Sequence, residues 1–132
     1  MKITADTNIL VRAIVADDAK QARLAQALLE SAERIAITPA CLCEFVWVLA
    51  RGYAIPRPGI AEAIRGLMDS AKVEANRDVI AAGLAVLEDG GDFADGVIAQ
   101  EGAALGGDVF ASFDTEAVAL IRKRGGQAFV PA

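Results

Sequence analysis

Five short segments read as strands: 2–5 (KITA), 35–37 (IAI), 72–75 (KVEA), 109–113 (VFASF) and 128–130 (AFV). Between them, apolar residues recur at helical spacing over 8–16, 19–34, 40–51, 59–70, 77–89, 94–105 and 115–124. Strands that alternate with helices pair in parallel, because a crossover helix returns the chain to the same end of the sheet. The alternation therefore predicts an α/β fold with a mainly parallel central sheet flanked by helices. A length of 132 residues fits a single domain over 1–132. Local signals agree with these boundaries. Pro58 can open a helix, Asn76 can cap one, and Gly90-Gly91 and Gly106-Gly107 can close two more. Along 19–34 the expected buried side is Ala22, Leu24, Ala25, Leu28 and Leu29, and the two strands KITA and VFASF read as core strands.

Apolar residues make up 55% of the chain, enough for a core without disulfides or a structural metal. The longest uncharged stretches, 35–43 and 79–87, are too short to cross a membrane, and the start MKITADTN lacks the apolar segment of a secretory signal. A cytoplasmic location is expected. There is no His, which excludes a Ser-His-Asp triad, a Cys-His pair and a zinc site built on imidazole. Cys41 and Cys43 are the only thiols and read as core residues of a reduced compartment. Chemistry must come from carboxylates, hydroxyls, Lys, Arg or a bound metal.

The acids are placed suggestively. Asp6 follows the first strand and Asp114 follows VFASF, and ligands of open parallel sheets bind beyond the carboxyl ends of strands. Each acid has an ordinary alternative as a helix N-cap. Glu44 is the single charge in ACLCEFVWVLA, a segment apolar enough to imply a helix buried on all sides. An unpaired carboxylate there would cost several kcal/mol, so either an arginine such as Arg12 or Arg51 pairs with it or it faces a cleft that holds a cation. In GGDFADGVIAQ, Asp92 reads as the cap of the next helix, and Asp95 lies in its first turn, aimed along the axis. Two carboxylates about 4 Å apart repel by roughly 4 kcal/mol at an effective dielectric of 20. A hard divalent cation with oxygen-only ligands, Mg²⁺ or Mn²⁺, removes that penalty.

With DTNIL after the first strand, CEFVWVL on the third helix, DFADGVIA at a helix start and SFD after a late strand, the chain resembles the PIN-domain ribonucleases along its whole length. Within that family it resembles the VapC-like and FitB-like toxins of bacterial type II toxin–antitoxin systems. The resemblance implies a compact α/β PIN-like domain and metal-dependent RNA cleavage. It maps the family's four acids onto Asp6, Glu44, Asp95 and Asp114, with Asp6, Asp95 and Asp114 as metal ligands. Thr7, Asn8 and Ser112 match the small polar residues that hold these acids, and Asp92 is an auxiliary. It also implies a homodimer, an RNA substrate such as tRNA, and a VapB-like antitoxin whose Arg reaches the acidic site.

A net charge of −5 should repel RNA. Two divalent cations would neutralise the four carboxylates, and Arg12, Lys20 and Arg23 lie near Asp6 in sequence, where they could flank a cleft. Arg122, Lys123 and Arg124 end a helix, where cations complement the dipole. The mechanism expected is phosphodiester hydrolysis by a metal-activated water that Glu44 helps to orient. Two other readings compete. A receiver-like Mg²⁺-binding phosphoacceptor would need paired acids at the first strand and a Lys after a late one, and neither is present. A catalytically inert PIN-fold binding module would keep the scaffold without the chemistry.

Overall fold

The computed structural model describes residues 1–132. The chain divides into two compact units, Met1–Asn76 and Arg77–Ala132.

In the first unit, strands β1 (Lys2–Thr4), β2 (Arg34–Ala36) and β3 (Val73–Glu74) form a parallel sheet in the order β1-β2-β3. Ile3 pairs with Ile35, and Ile35 with Val73. Helices α1 (Thr7–Ile14) and α2 (Ala19–Ser31) carry the chain from β1 to β2, and α3 (Pro39–Gly52) and α4 (Arg57–Met68) carry it from β2 to β3. Their starts are chemically marked. Asp18 accepts a hydrogen bond from the Gln21 amide and Thr38 accepts one from the Cys41 amide, each satisfying a helix N–H that would otherwise lack a partner. The core is built from Leu10, Ile37, Leu42, Phe45, Leu49, Ile60 and Ile64, all buried.

Two expectations change here. Helix α3 is not buried all round. Leu42, Phe45, Val46 and Leu49 form its buried stripe, while Glu44 and Trp47 lie on the opposite, exposed face. The many apolar residues of this segment hid an ordinary i, i+3, i+4, i+7 amphipathic pattern. On α2, Ala22 and Ala25 are buried, but Leu24 is 62% exposed. It stands one position from each turn of the buried stripe and faces solvent.

The second unit comprises α5 (Arg77–Glu88), α6 (Phe93–Ala104), β4 (Val109–Ala111), α7 (Thr115–Lys123) and β5 (Gln127–Phe129). Strands β4 and β5 pair in parallel through α7, as a ladder separate from β1-β2-β3. Helices α5 and α6 approach closely because two glycines permit it. A Cβ at Gly96 would run into the Ala82 carbonyl and come 2.8 Å from the Gly83 Cα. One at Gly83 would meet the buried Phe93 ring at 2.6 Å. VFASF is not a core strand. Phe110 is half-buried beside Gly96, Ala99 and Ile121, whereas Val109 and Ala111 alternate to the other face and are exposed. KITA behaves alike, with Ile3 half-buried between exposed Lys2 and Thr4. All five expected strands are present and all pairings are parallel. No helix is long and apolar enough to cross a membrane.

Candidate active site

Helices α1 and α3 both begin where a strand ends, α1 after β1 and α3 after β2. At these carboxyl ends lies a cleft of about 320 Å³ lined by Thr4, Ala5, Asp6, Thr7, Thr38, Ala40, Cys41 and Glu44. Asp6 occupies the N-cap position of α1 with extended backbone, and its carbonyl accepts the first helical amides from Ile9 and Leu10. Its carboxylate, however, makes no capping bond. The ordinary explanation for an Asp at this place is therefore not realised, and the exposed carboxylate is left on the cleft wall.

Glu44 faces the same cleft from the second turn of α3 and is exposed. It is not the partner of an arginine. Arg12 pairs instead with Asp17 at 2.9 Å and donates to the Tyr53 hydroxyl, so it does not serve the cleft. These contacts raise the Arg12 pKa, chiefly through Asp17. Asp17 is held low, first by the Tyr53 hydroxyl and then by Arg12. The contact Glu44 does make is with Thr7, whose hydroxyl donates to its Oε1 at 3.3 Å. Thr7 is the one buried polar residue in the chain, and it fixes Glu44 from the cleft wall. Its hydroxyl also lies 3.8 Å from the Cys41 Sγ, and that thiol donates to the Ala5 carbonyl at 3.5 Å. Burial first, then the charges of Asp6 and Glu44, push the Cys41 thiol up, and the Thr7 contact opposes them. Cys41 is thus half-buried and part of the cleft wall, not a core residue. Asn8 is exposed, on the first turn of α1.

The other expected acids belong to the second unit. Asp92 caps α6 by accepting from the Ala94 amide, and Asp114 caps α7 by accepting from the Glu116 and Ala117 amides at 3.0 and 3.1 Å. Ser112 accepts from the Asp114 amide at 3.0 Å, which ties the SFD turn. Asp95 makes no cap. It is half-buried in the first turn of α6, and its carboxyl is pushed up by burial first and then by the charges of Asp92 and Asp114. The structure thus brings Asp6 and Glu44 to one cleft in the first unit, and sets Asp95 in the field of Asp92 and Asp114 in the second. No group of three or more His, Cys, Asp or Glu side chains is arranged to hold a metal ion. The donor chemistry nevertheless suits a hard cation: in the cleft, Asp6 keeps its full acceptor capacity and Glu44 uses one oxygen in a single long hydrogen bond.

The terminal basic cluster is consumed internally. Arg122 donates to the Ala128 carbonyl, and Lys123 and Arg124 pair with Asp89. Sequence reading missed Thr38 and Cys41 as cleft residues. Cys41 lies one turn before Glu44, so helical spacing alone places both on one side. It also missed Gly96, although a glycine inside a helix asks for a packing reason.

An α/β chain with parallel strands, carboxylates beyond the strand ends and no imidazole belongs to a narrow class of acid-based sites. A model of the PIN domain family matches residues 3–123, and the chain belongs to that family. The match runs through both units. No curated protein and no solved structure matches the chain at a level that would show kinship. Family membership indicates a function of the nuclease type in general, an RNA-related one, and the general capacity of the family to bind divalent metals.

Proposed function

We propose that the chain is a Mg²⁺- or Mn²⁺-dependent endoribonuclease that uses Asp6, Glu44, Asp95 and Asp114, with residues 1–132 working as one PIN domain. The observation that carries this reading is the Asp6 carboxylate. It stands at a helix N-cap, declines the cap, and opens onto a cleft shared with Glu44. Asp6, Asp95 and Asp114 are the residues that would hold the cation. When bound, a divalent cation supplies water activation and neutralises charge developing on the phosphate. The protein's own contribution is orientation. Thr7 fixes Glu44, whose other carboxylate oxygen can accept a hydrogen bond from the attacking water and so aim it. Ser112 fixes the backbone that presents Asp114.

The biological role we propose is that of a toxin in a type II toxin–antitoxin pair, cytoplasmic and homodimeric, with RNA such as tRNA as substrate. It would be held in check by a small antitoxin. Support comes from the DTN, CEF, DFAD and SFD motifs in order and from the family match. A net charge of −5 suits an Arg-bearing partner, since guanidinium pairs with carboxylates in a bidentate fork.

The test is cleavage of RNA by purified protein. Activity should require Mg²⁺ or Mn²⁺ and stop with EDTA, and expression without a neighbouring antitoxin should arrest growth, relieved by Asp6→Ala. Cleavage that survives exhaustive chelation removes the metal. A chain that binds RNA without cutting it is the inert module. A chain that cuts RNA yet leaves growth untouched is a nuclease and not a toxin.

A further inference from the structure

The exposed face of α3 does not end at Glu44. Trp47 and Arg51 follow it at i+3 and i+7, all within a narrow arc opposite the buried Leu42, Phe45, Val46 and Leu49. The three side chains span about 10 Å along the helix. Trp47 is 62% exposed, unusual for the largest side chain in the protein, and no hydrogen bond within the chain occupies its indole N–H. Arg51 is exposed and pairs with no acid. Several other cations are committed: Arg12 to Asp17, Arg34 to Glu74, Lys123 and Arg124 to Asp89, Lys72 to the Leu29 and Glu30 carbonyls, Arg122 to the Ala128 carbonyl.

We propose that the Glu44–Trp47–Arg51 face of α3 is a docking strip for single-stranded RNA that leads away from the Asp6–Glu44 cleft, with Trp47 stacking on a nucleobase and Arg51 pairing with a backbone phosphate. The inference rests on the ribonuclease reading and adds the element that seats the strand. An acidic protein cannot hold RNA by a general basic surface. Affinity must then come from contacts indifferent to net charge, and base–aromatic stacking is the main one, because every base offers a π-face. The face is continuous with the cleft through Glu44, and Arg51 supplies the one unpaired cation on it. A duplex offers no free base to Trp47, so the strip selects single strands, loops or ends.

The chain has one Trp, so its emission reports this position alone. Titrating an oligoadenylate into the Asp6→Asn protein with Mg²⁺ should quench that emission saturably, and a duplex RNA of equal length should quench it far less. In the otherwise intact protein, Trp47→Ala should raise KM for single-stranded RNA about tenfold with kcat within about twofold. Trp47→Phe should restore most of the loss. Arg51→Ala should raise KM by a few fold and lower the salt slope of binding by about one. Unchanged melting temperatures confirm that the exposed substitutions leave the fold intact. If wild type cleaves and Trp47→Ala has wild-type KM and kcat, the strip is wrong and the ribonuclease reading stands. Emission that shifts with protein concentration without RNA, together with a Trp47→Ala chain that has become monomeric, assigns the face to a second copy and overturns the strip. A wild-type chain that neither binds nor cuts RNA overturns both.

Discussion

Asp6 and Asp114 occupy the same place in the chain's grammar, each the residue between a parallel strand and the helix that follows. Their carboxylates are used differently. The Asp114 carboxylate accepts from two amides of α7 and is anchored by the Ser112 turn, whereas the Asp6 carboxylate makes no bond to α1. The first unit therefore presents a carboxylate that nothing in the fold consumes. Of the three candidate acids in the second unit, Asp92 and Asp114 hold helices and Asp95 is pushed toward its protonated form by burial and by the other two. An Asp before a helix thus says little about its role until the amides have been accounted for. The acid that stabilises nothing is the better candidate for chemistry.

The sharpest way to break this comparison is paired substitution. Asp6→Asn should lower RNA cleavage at least about a hundredfold, roughly 2.7 kcal/mol of transition-state stabilisation, with a melting temperature equal to or above wild type. Asp114→Ala should also lose activity, but it removes two capping bonds and should cost about 1 kcal/mol of stability. Circular-dichroism melts beside RNase assays decide the matter. An Asp6→Asn chain that melts several degrees lower would mean that its carboxylate is structural after all.

The second unit depends on its helix crossing for the position of Asp95, which immediately precedes Gly96. Gly96→Ala drives a methyl into the backbone of α5 at Ala82 and Gly83, and backbone cannot yield as a side-chain tip can. Overpacking of this kind costs about 1–3 kcal/mol, and the upper end is expected. Denaturant unfolding should show a lower midpoint. Gly102→Ala, where an added Cβ would meet nothing within 4 Å, is the control and should be neutral or slightly stabilising. Equal effects at the two glycines would refute a close crossing.

The alternation of apolar runs with helical periodicity was enough to read the parallel α/β class, all five strands and all seven helices, because those features are local and repeat. The relation of each element to its surroundings was less legible. VFASF is apolar in sequence, yet Val109 is 46% and Phe113 81% exposed, because burial is decided by what packs on a strand and not by the strand itself. ACLCEFVWVLA hid its amphipathicity behind Val, Trp and Cys, so the helix read as buried on all sides although Glu44 and Trp47 are exposed. Arg12 was near Asp6 in sequence, but Asp17 and Tyr53 claim it, and no pattern in the chain announces a contact with Tyr53. Of the acids, the sequence supplied the names. Asp92 reads as a cap from its place before α6 and is one, but Asp6 and Asp114 offer the same signal in sequence, and only their hydrogen bonds separate the acid that caps from the acid that does not.

Glu44 sharpens the comparison from within the first unit. It has no ion pair to lose, and its contact with Thr7 survives conversion to an amide. Glu44→Gln should leave the melting temperature within a degree or two and reduce cleavage about tenfold, roughly 1.4 kcal/mol. Thr7→Val should lower activity less, and its pH–rate profile should keep its shape, as expected for a residue that positions Glu44 without touching substrate. A Glu44→Gln chain that folds and cleaves normally would take Glu44 out of the reaction and leave Asp6 alone in the cleft.

The smallest expected effect concerns Asp95 and is read from stability as a function of pH. Burial, and then Asp92 and Asp114, raise its carboxyl above the ordinary value of 3.8. A group whose folded pKa exceeds its unfolded one stabilises the fold below the unfolded value, and that contribution is lost as pH rises through the folded value. At neutral pH in metal-free buffer the ionised Asp95 is therefore a net cost, and Asp95→Asn should stabilise the protein. Because the side chain is only partly buried, solvent screening keeps the gain below about 1 kcal/mol. The gain should shrink as pH falls and vanish below about pH 4, where wild type carries the proton itself. A gain that also disappears on raising salt at neutral pH would assign it to the charges of Asp92 and Asp114, and one that persists would assign it to burial. Loss of stability in Asp95→Asn at pH 7 would show that the carboxylate supports the first turn of α6, and would make the acids of the second unit structural throughout.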